Sequence, residues 1–117
     1  MKRSSVWLAG ILAGSIASTV AFSVQAETSK EGEELYNTTC VACHGKDGKG
    51  NLPGVPDFTK KDGRFTKTDE VLASHIMNGF KSPGSSMAMP AKGGMSSLTQ
   101  EQAEAIVTYM RQTFAGN

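Results

Sequence analysis

Cys40-Val41-Ala42-Cys43-His44 decides how this chain is read. The cysteines are the only two in the sequence, they enclose two residues, and one of the two histidines follows at once. A C-x-x-C-H run is the attachment signature of a c-type haem. In that reading each thiol forms a thioether with a haem vinyl group, and His44 is the proximal ligand to the iron. The spacing has a physical reason: one helical turn sets both sulfurs along one edge of the porphyrin, and the next residue directs its imidazole at the metal. Other chemistries of these five residues lack partners. A zinc site needs four ligands, and beyond the two thiols only His44, His75 and carboxylates remain. A thioredoxin-like pair calls for a preceding strand and βαβ surroundings that the pattern does not show. A disulfide across two residues closes too short a loop to stabilise much.

Working outward, the residues before this run predict a helix over about Ser29–Cys43. Glu31, Glu33 and Glu34 lie in its early turns, where carboxylates suit the positive end of the helix dipole. Leu35, Tyr36, Thr39 and Cys40 give an apolar face at helical spacing, and Gly45 suits a helix stop. Lys46 to Pro56 is dense in glycine and proline and reads as a loop. It lacks the Gly-Lys-Ser/Thr ending of a phosphate-cradling loop. A second helix begins near Thr68, a suitable N-cap, with Asp69 and Glu70 in its first turn. Val71, Leu72, His75 and Ile76 form its stripe, and Gly79 closes it. His75 is the only other imidazole, and a lone histidine on a helix reads more simply as a packed or partly exposed side chain. The third helix has the clearest start: Thr99 caps, Gln102 reaches back, and Leu98 staples onto Ala103. Ala103, Ile106, Val107, Met110 and Phe114 then recur at helical spacing and form a core face.

Between the second and third helices, residues 79–95 are rich in glycine, serine and proline and carry Met87, Met89 and Met95. Three methionines on a loop are unusual if they only fill gaps. A thioether opposite His44 would complete a six-coordinate iron, and methionine ligation raises the reduction potential. Met77 and Met110 fall in helices and read as core.

The start of the chain points to export. Met1-Lys2-Arg3 is basic, Val6 to Val24 is mostly apolar, and Val24-Gln25-Ala26 presents small residues at the positions an export peptidase reads. Residues 1–26 are therefore expected to be a cleaved signal peptide, leaving one domain over residues 27–117 with no membrane span. The competing reading is an uncleaved anchor, since the run approaches spanning length. A domain this small has a marginal protein-only core, and a buried haem would supply its apolar centre. After cleavage ten Lys and Arg face eleven Asp and Glu, which excludes a nucleic-acid binder. Charge is uneven: residues 27–44 carry −3, residues 45–92 carry +3, and residues 93–117 carry −1.

As a whole, residues 27–117 resemble a class I bacterial cytochrome c of the small, single-haem, periplasmic kind. The matching residues are Cys40-Val41-Ala42-Cys43-His44, Gly32 and Tyr36, Met89-Pro90, and Ile106-Val107-Thr108-Tyr109. The resemblance implies an all-α fold, about three to four helices around one covalently attached haem c. It implies Met89 as the distal ligand opposite His44, and a close crossing of the first and last helices at Gly32 with Tyr36 and Tyr109 packed there. It further implies that Pro56, with Pro53 a weaker candidate, offers its carbonyl to the His44 Nδ1–H, fixing the ring. The function implied is one-electron transport in the periplasm, not enzymatic catalysis, by a monomer. Its partners would be redox proteins: a quinol-oxidising complex, a periplasmic dehydrogenase, or a terminal oxidase or reductase. The alternatives are a gas sensor or peroxidase-like module with open iron, and a tightly held electron-input subunit of a larger oxidoreductase.

Overall fold

The structure, a computed structural model, describes residues 20–115. Most of the expected signal peptide thus lies outside the described residues. Among the described residues four α-helices carry the fold: α1 (Val20–Leu35), α2 (Val41–His44), α3 (Asp69–Asn78) and α4 (Gln100–Phe114). Among the described residues there is no extended strand, only a single antiparallel bridge between Phe80 and Met89.

α1 is already helical at Val20, the first described residue, well before the expected start near Ser29. Val20–Ala26 contains neither glycine nor proline, so nothing in the sequence halts the helix there. A wide π-helical turn, Tyr36–Cys40, then joins α1 to α2. Its cause is local. Thr38 and Thr39 donate their hydroxyls to the carbonyls of Glu34 and Leu35, at 2.8 and 2.9 Å. Such back-bonding by threonine competes with the helical ladder and bends it. Gly45, at φ 79°, ends α2 in a conformation that favours glycine.

The caps of the later helices form as the sequence predicts. Thr68 accepts from the Val71 amide at 3.4 Å. Thr99 accepts from the Gln102 amide at 3.2 Å while the Gln102 side chain accepts from the Thr99 amide at 3.1 Å, a complete capping box.

The core lies where α3 and α4 meet the end of α1. Leu72, Ala73 and Ile76 from α3 pack with Ala103, Ile106, Val107, Met110 and Phe114 from α4, joined by Tyr36, Phe58 and Leu98. Gly32 sits against α4, where a Cβ would collide with the Ala105 carbonyl and press on the Tyr109 Cβ. Only a missing side chain lets the two backbones approach so closely. Tyr36, wholly buried, packs on Tyr109 and Phe114 at 5.4 and 5.5 Å between ring centroids. Its hydroxyl donates to the Gly45 carbonyl at 2.7 Å, and burial raises its pKa well above the ordinary tyrosine value. Arg111 on α4 pairs with Asp69 and donates to the carbonyls of Phe65 at 3.1 Å and Lys67 at 2.5 Å. That contact locks α4 to the start of α3.

Candidate cofactor site

The π turn and α2 present Cys40, Cys43 and His44 to one side of a cavity closed by α3, α4 and the loops over residues 54–58 and 80–93. Its empty volume is about 1140 Å³, solvent at the mouth included. Leu72, Ile76, Ile106 and Met110 supply an apolar floor that is continuous with the core. Cys40 and Cys43 are free thiols, so the disulfide reading is not realised. No group of three or more histidine, cysteine and acidic side chains is gathered among the described residues, which leaves the zinc reading without a ligand set.

The loop after α2 folds back to satisfy the helix end: Gly50 and Asn51 donate to the carbonyls of His44 and Cys43 at 2.9 and 2.8 Å. The His44 ring stacks on Phe58, 4.7 Å between centroids and 18° between planes. Burial lowers the pKa of His44 and raises that of Cys40, the latter partly offset by the Thr39 hydroxyl 3.3 Å from its sulfur. The imidazole is therefore held in its neutral form, which has a lone pair to give to a metal. His44 Nδ1 is buried without a hydrogen-bond partner. Pro56 lines the cavity, and its carbonyl does not accept from His44 Nδ1 here; the His44 ring is stacked on the face of Phe58.

The loop methionines separate. Met87 and Met89 line the cavity, whereas Met95 does not and packs against the core. Met87 is 42% exposed; Met89 is half-buried. The Met89 backbone is fixed by two hydrogen bonds, Phe80 N–H to Met89 O at 3.1 Å and Met89 N–H to Phe80 O at 2.8 Å. Gly79, at φ 77°, makes room for that pairing, since a Cβ there would stand 2.8 Å from the Met89 oxygen. His75 also reaches the cavity, stacked on Phe80 at 4.1 Å.

Phe58, Arg64, Phe80 and Ser82 at the cavity wall are not singled out by the sequence. Phe58 carries no motif of its own. Arg64 is one of eight basic residues in its segment, with nothing local to set it apart.

Two thiols on one wall, a neutral, half-buried imidazole with an unsatisfied nitrogen, a thioether and an apolar floor fit a haem. An all-helical chain that ends its first helical stretch in C-x-x-C-H beside such a cavity is of the covalent haem-binding kind. Residues 27–110 match the family model described as cytochrome c oxidase, cbb3-type, subunit III. The chain belongs to this family of cytochrome c domains and, with it, to the class I c-type cytochromes. It is 35% identical over 79 residues to cytochrome c-555 of Chlorobaculum tepidum, covering 68% of this chain and 70% of that one. With cytochrome c-555 of Chlorobaculum thiosulfatiphilum the identity is 34% over 79 residues, covering 68% and 88%. With cytochrome c-551 of Bacillus subtilis it is 43% over 54 residues, covering 44% and 43%. The cofactor that family membership carries is a covalently bound c-type haem.

Proposed function

We propose that this protein is a periplasmic one-electron shuttle whose single haem is held by Cys40 and Cys43 through thioethers and by His44 and Met89 as axial ligands. The observation that supports this most is that Cys40, Cys43 and His44, from one short run, and Met89, from a loop far along the chain, line the same apolar cavity. Bound there, the haem supplies a one-electron couple, Fe(III)/Fe(II). The protein's own residues do the rest. Cys40 and Cys43 are the residues that would hold the haem covalently, each through a thioether to a vinyl group. His44 brings a neutral imidazole, and its free Nδ1 is the atom that the Pro56 carbonyl would satisfy in the loaded protein. Leu72, Ile76, Ile106 and Met110 exclude water from the buried side, and low polarity there favours the less charged reduced centre. With His44 and Met89 both ligating, no coordination position would remain for oxygen or peroxide, which suits electron transport without substrate chemistry.

The basic segment 45–92 suits docking to acidic patches on redox partners. A second reading has one observation in its favour: the matching family model is named for an oxidase subunit. In that reading the chain is held permanently in a larger oxidoreductase. Affinity purification of the exported protein from its own cells, followed by gel filtration, separates the two. A free shuttle elutes as a monomer; stoichiometric membrane subunits travelling with it would contradict the shuttle.

A further inference from the structure

Loop 81–88 has little to hold it. Lys81, Pro83, Gly84, Ser86, Met87 and Ala88 are exposed, and its internal bonds are confined to a turn at Ser82–Ser85 and the Ser85–Met87 contacts. Yet this loop delivers Met89, and an iron–thioether bond is weak enough that the protein must hold the sulfur in place. The two hydrogen bonds to Phe80 do so for the backbone. The fixed point therefore passes to Phe80. Two side chains lie over its ring: the Arg64 guanidinium, 5.0 Å from the centroid, and the His75 imidazole, 4.1 Å away and 22° from parallel. Arg64 also donates to the Ser82 hydroxyl at 2.6 Å, reaching the near arm of the same loop.

We propose that Arg64 and His75 are positioning residues for the Met89 thioether, acting through Phe80: they clamp its ring, and its backbone holds Met89 on the iron. This deepens the functional reading above and rests on Met89 being the distal ligand. A guanidinium over an aromatic ring and an imidazole stacked on it each restrain the ring at little entropic cost, because the planar groups are already ordered by α3 and the turn at Arg64–Thr66. Loss of either leaves Phe80 free to rotate and lets the bridge open more often.

The test uses the loaded ferric protein and imidazole as the probe, since added imidazole binds only when Met89 has left. The variants are Arg64→Gln, His75→Ala and His75→Phe, with Phe80→Leu as a second route should Arg64→Gln fail to load haem. Losing one clamp should tighten apparent imidazole binding by about tenfold, the equivalent of one partly desolvated cation–π contact. His75→Phe, which keeps a ring against Phe80, restores the wild-type value. The methionine–iron charge-transfer band should also fade at lower temperature in Arg64→Gln and His75→Ala, while the helical circular dichroism is unchanged. Wild-type imidazole affinity in both variants would overturn the proposal. So would a shifted reduction potential with unchanged affinity, which would make Arg64 a source of charge only. A wild-type protein with no charge-transfer band would instead sink the Met89 ligation itself.

Discussion

At the residue scale, single atoms decide what can be changed. Gly32→Ala places a methyl group against the Ala105 backbone carbonyl, which has no side-chain rotamer with which to yield. We expect a loss of about 1–3 kcal/mol, the usual range for overpacking, measured as a lower denaturant midpoint with an unaltered haem spectrum. His75 offers a reading of local electrostatics. Its pKa is lowered, first by burial and then by Lys67 and Arg64. Neutral His75 is thus preferred in the folded protein, so the folded state binds fewer protons than the unfolded one. Its contribution to stability is complete above the ordinary histidine value of about 6.5 and is lost as pH falls towards its lower folded value. A ring titration by NMR should give a midpoint below that of a model histidine, and a midpoint above it would contradict the packing described. The run at Cys40–His44 and the crossing glycine are legible in the sequence because their chemistry is local or nearly unique in type. Phe58, stacked on His44 from fourteen positions away, is not, since nothing in the spacing of aromatic residues tells which ring will meet which imidazole.

At the scale of elements, the starts of α3 and α4 are more legible than the course of the first helical stretch. Thr68, Thr99 and Gln102 cap α3 and α4 because each supplies an acceptor at a fixed distance along the chain. Thr99→Ala should cost about 1 kcal/mol, read by thermal unfolding. The π turn at Tyr36–Cys40 escapes the periodicity, which predicts one uninterrupted helix to Cys43. Its signal is the Thr38-Thr39 pair, whose hydroxyls both find carbonyls one turn back. That widened turn lies immediately before α2 and so sets the direction in which Cys43 and His44 leave it. The connection between elements depends on Arg111, which holds the start of α3 and the turn before it through one ion pair and two carbonyls. Arg111→Gln should lower stability by about 1–2 kcal/mol, discounted for partial exposure, without changing the reduction potential. An equal loss from Asp69→Asn would be expected only if the ion pair, not the carbonyls, carries the contact.

At the scale of the whole molecule, core and cofactor wall are one surface: Leu72, Ile76, Ile106 and Met110 belong to both. The run at Cys40–His44 points to a cofactor, but not to which apolar residues would face it, because a helical stripe looks alike whether it meets another helix or a porphyrin. Cys40→Ala/Cys43→Ala, made without covalent attachment, should therefore lose much of its helical circular dichroism once haem is extracted, and full helicity would argue against the shared core. Lys46, Lys49, Lys60, Lys61, Lys67 and Lys81 are all exposed, and docking through them requires that electron transfer to an acidic partner slow as salt rises. Salt-independent rates would remove the electrostatic part of the docking. The identity of the sixth ligand bears on everything else, since a closed iron makes a carrier and an open one a sensor or catalyst. The decisive measurement is the far-red spectrum of the ferric protein, with carbon monoxide added to the ferrous form, for wild type, Met87→Ala and Met89→Ala. His44/Met89 ligation requires a methionine–iron charge-transfer band in wild type and Met87→Ala, its loss in Met89→Ala, and carbon monoxide binding in Met89→Ala alone. A band that survives Met89→Ala, or ready carbon monoxide binding by the wild type, would contradict the electron-carrier reading of this site.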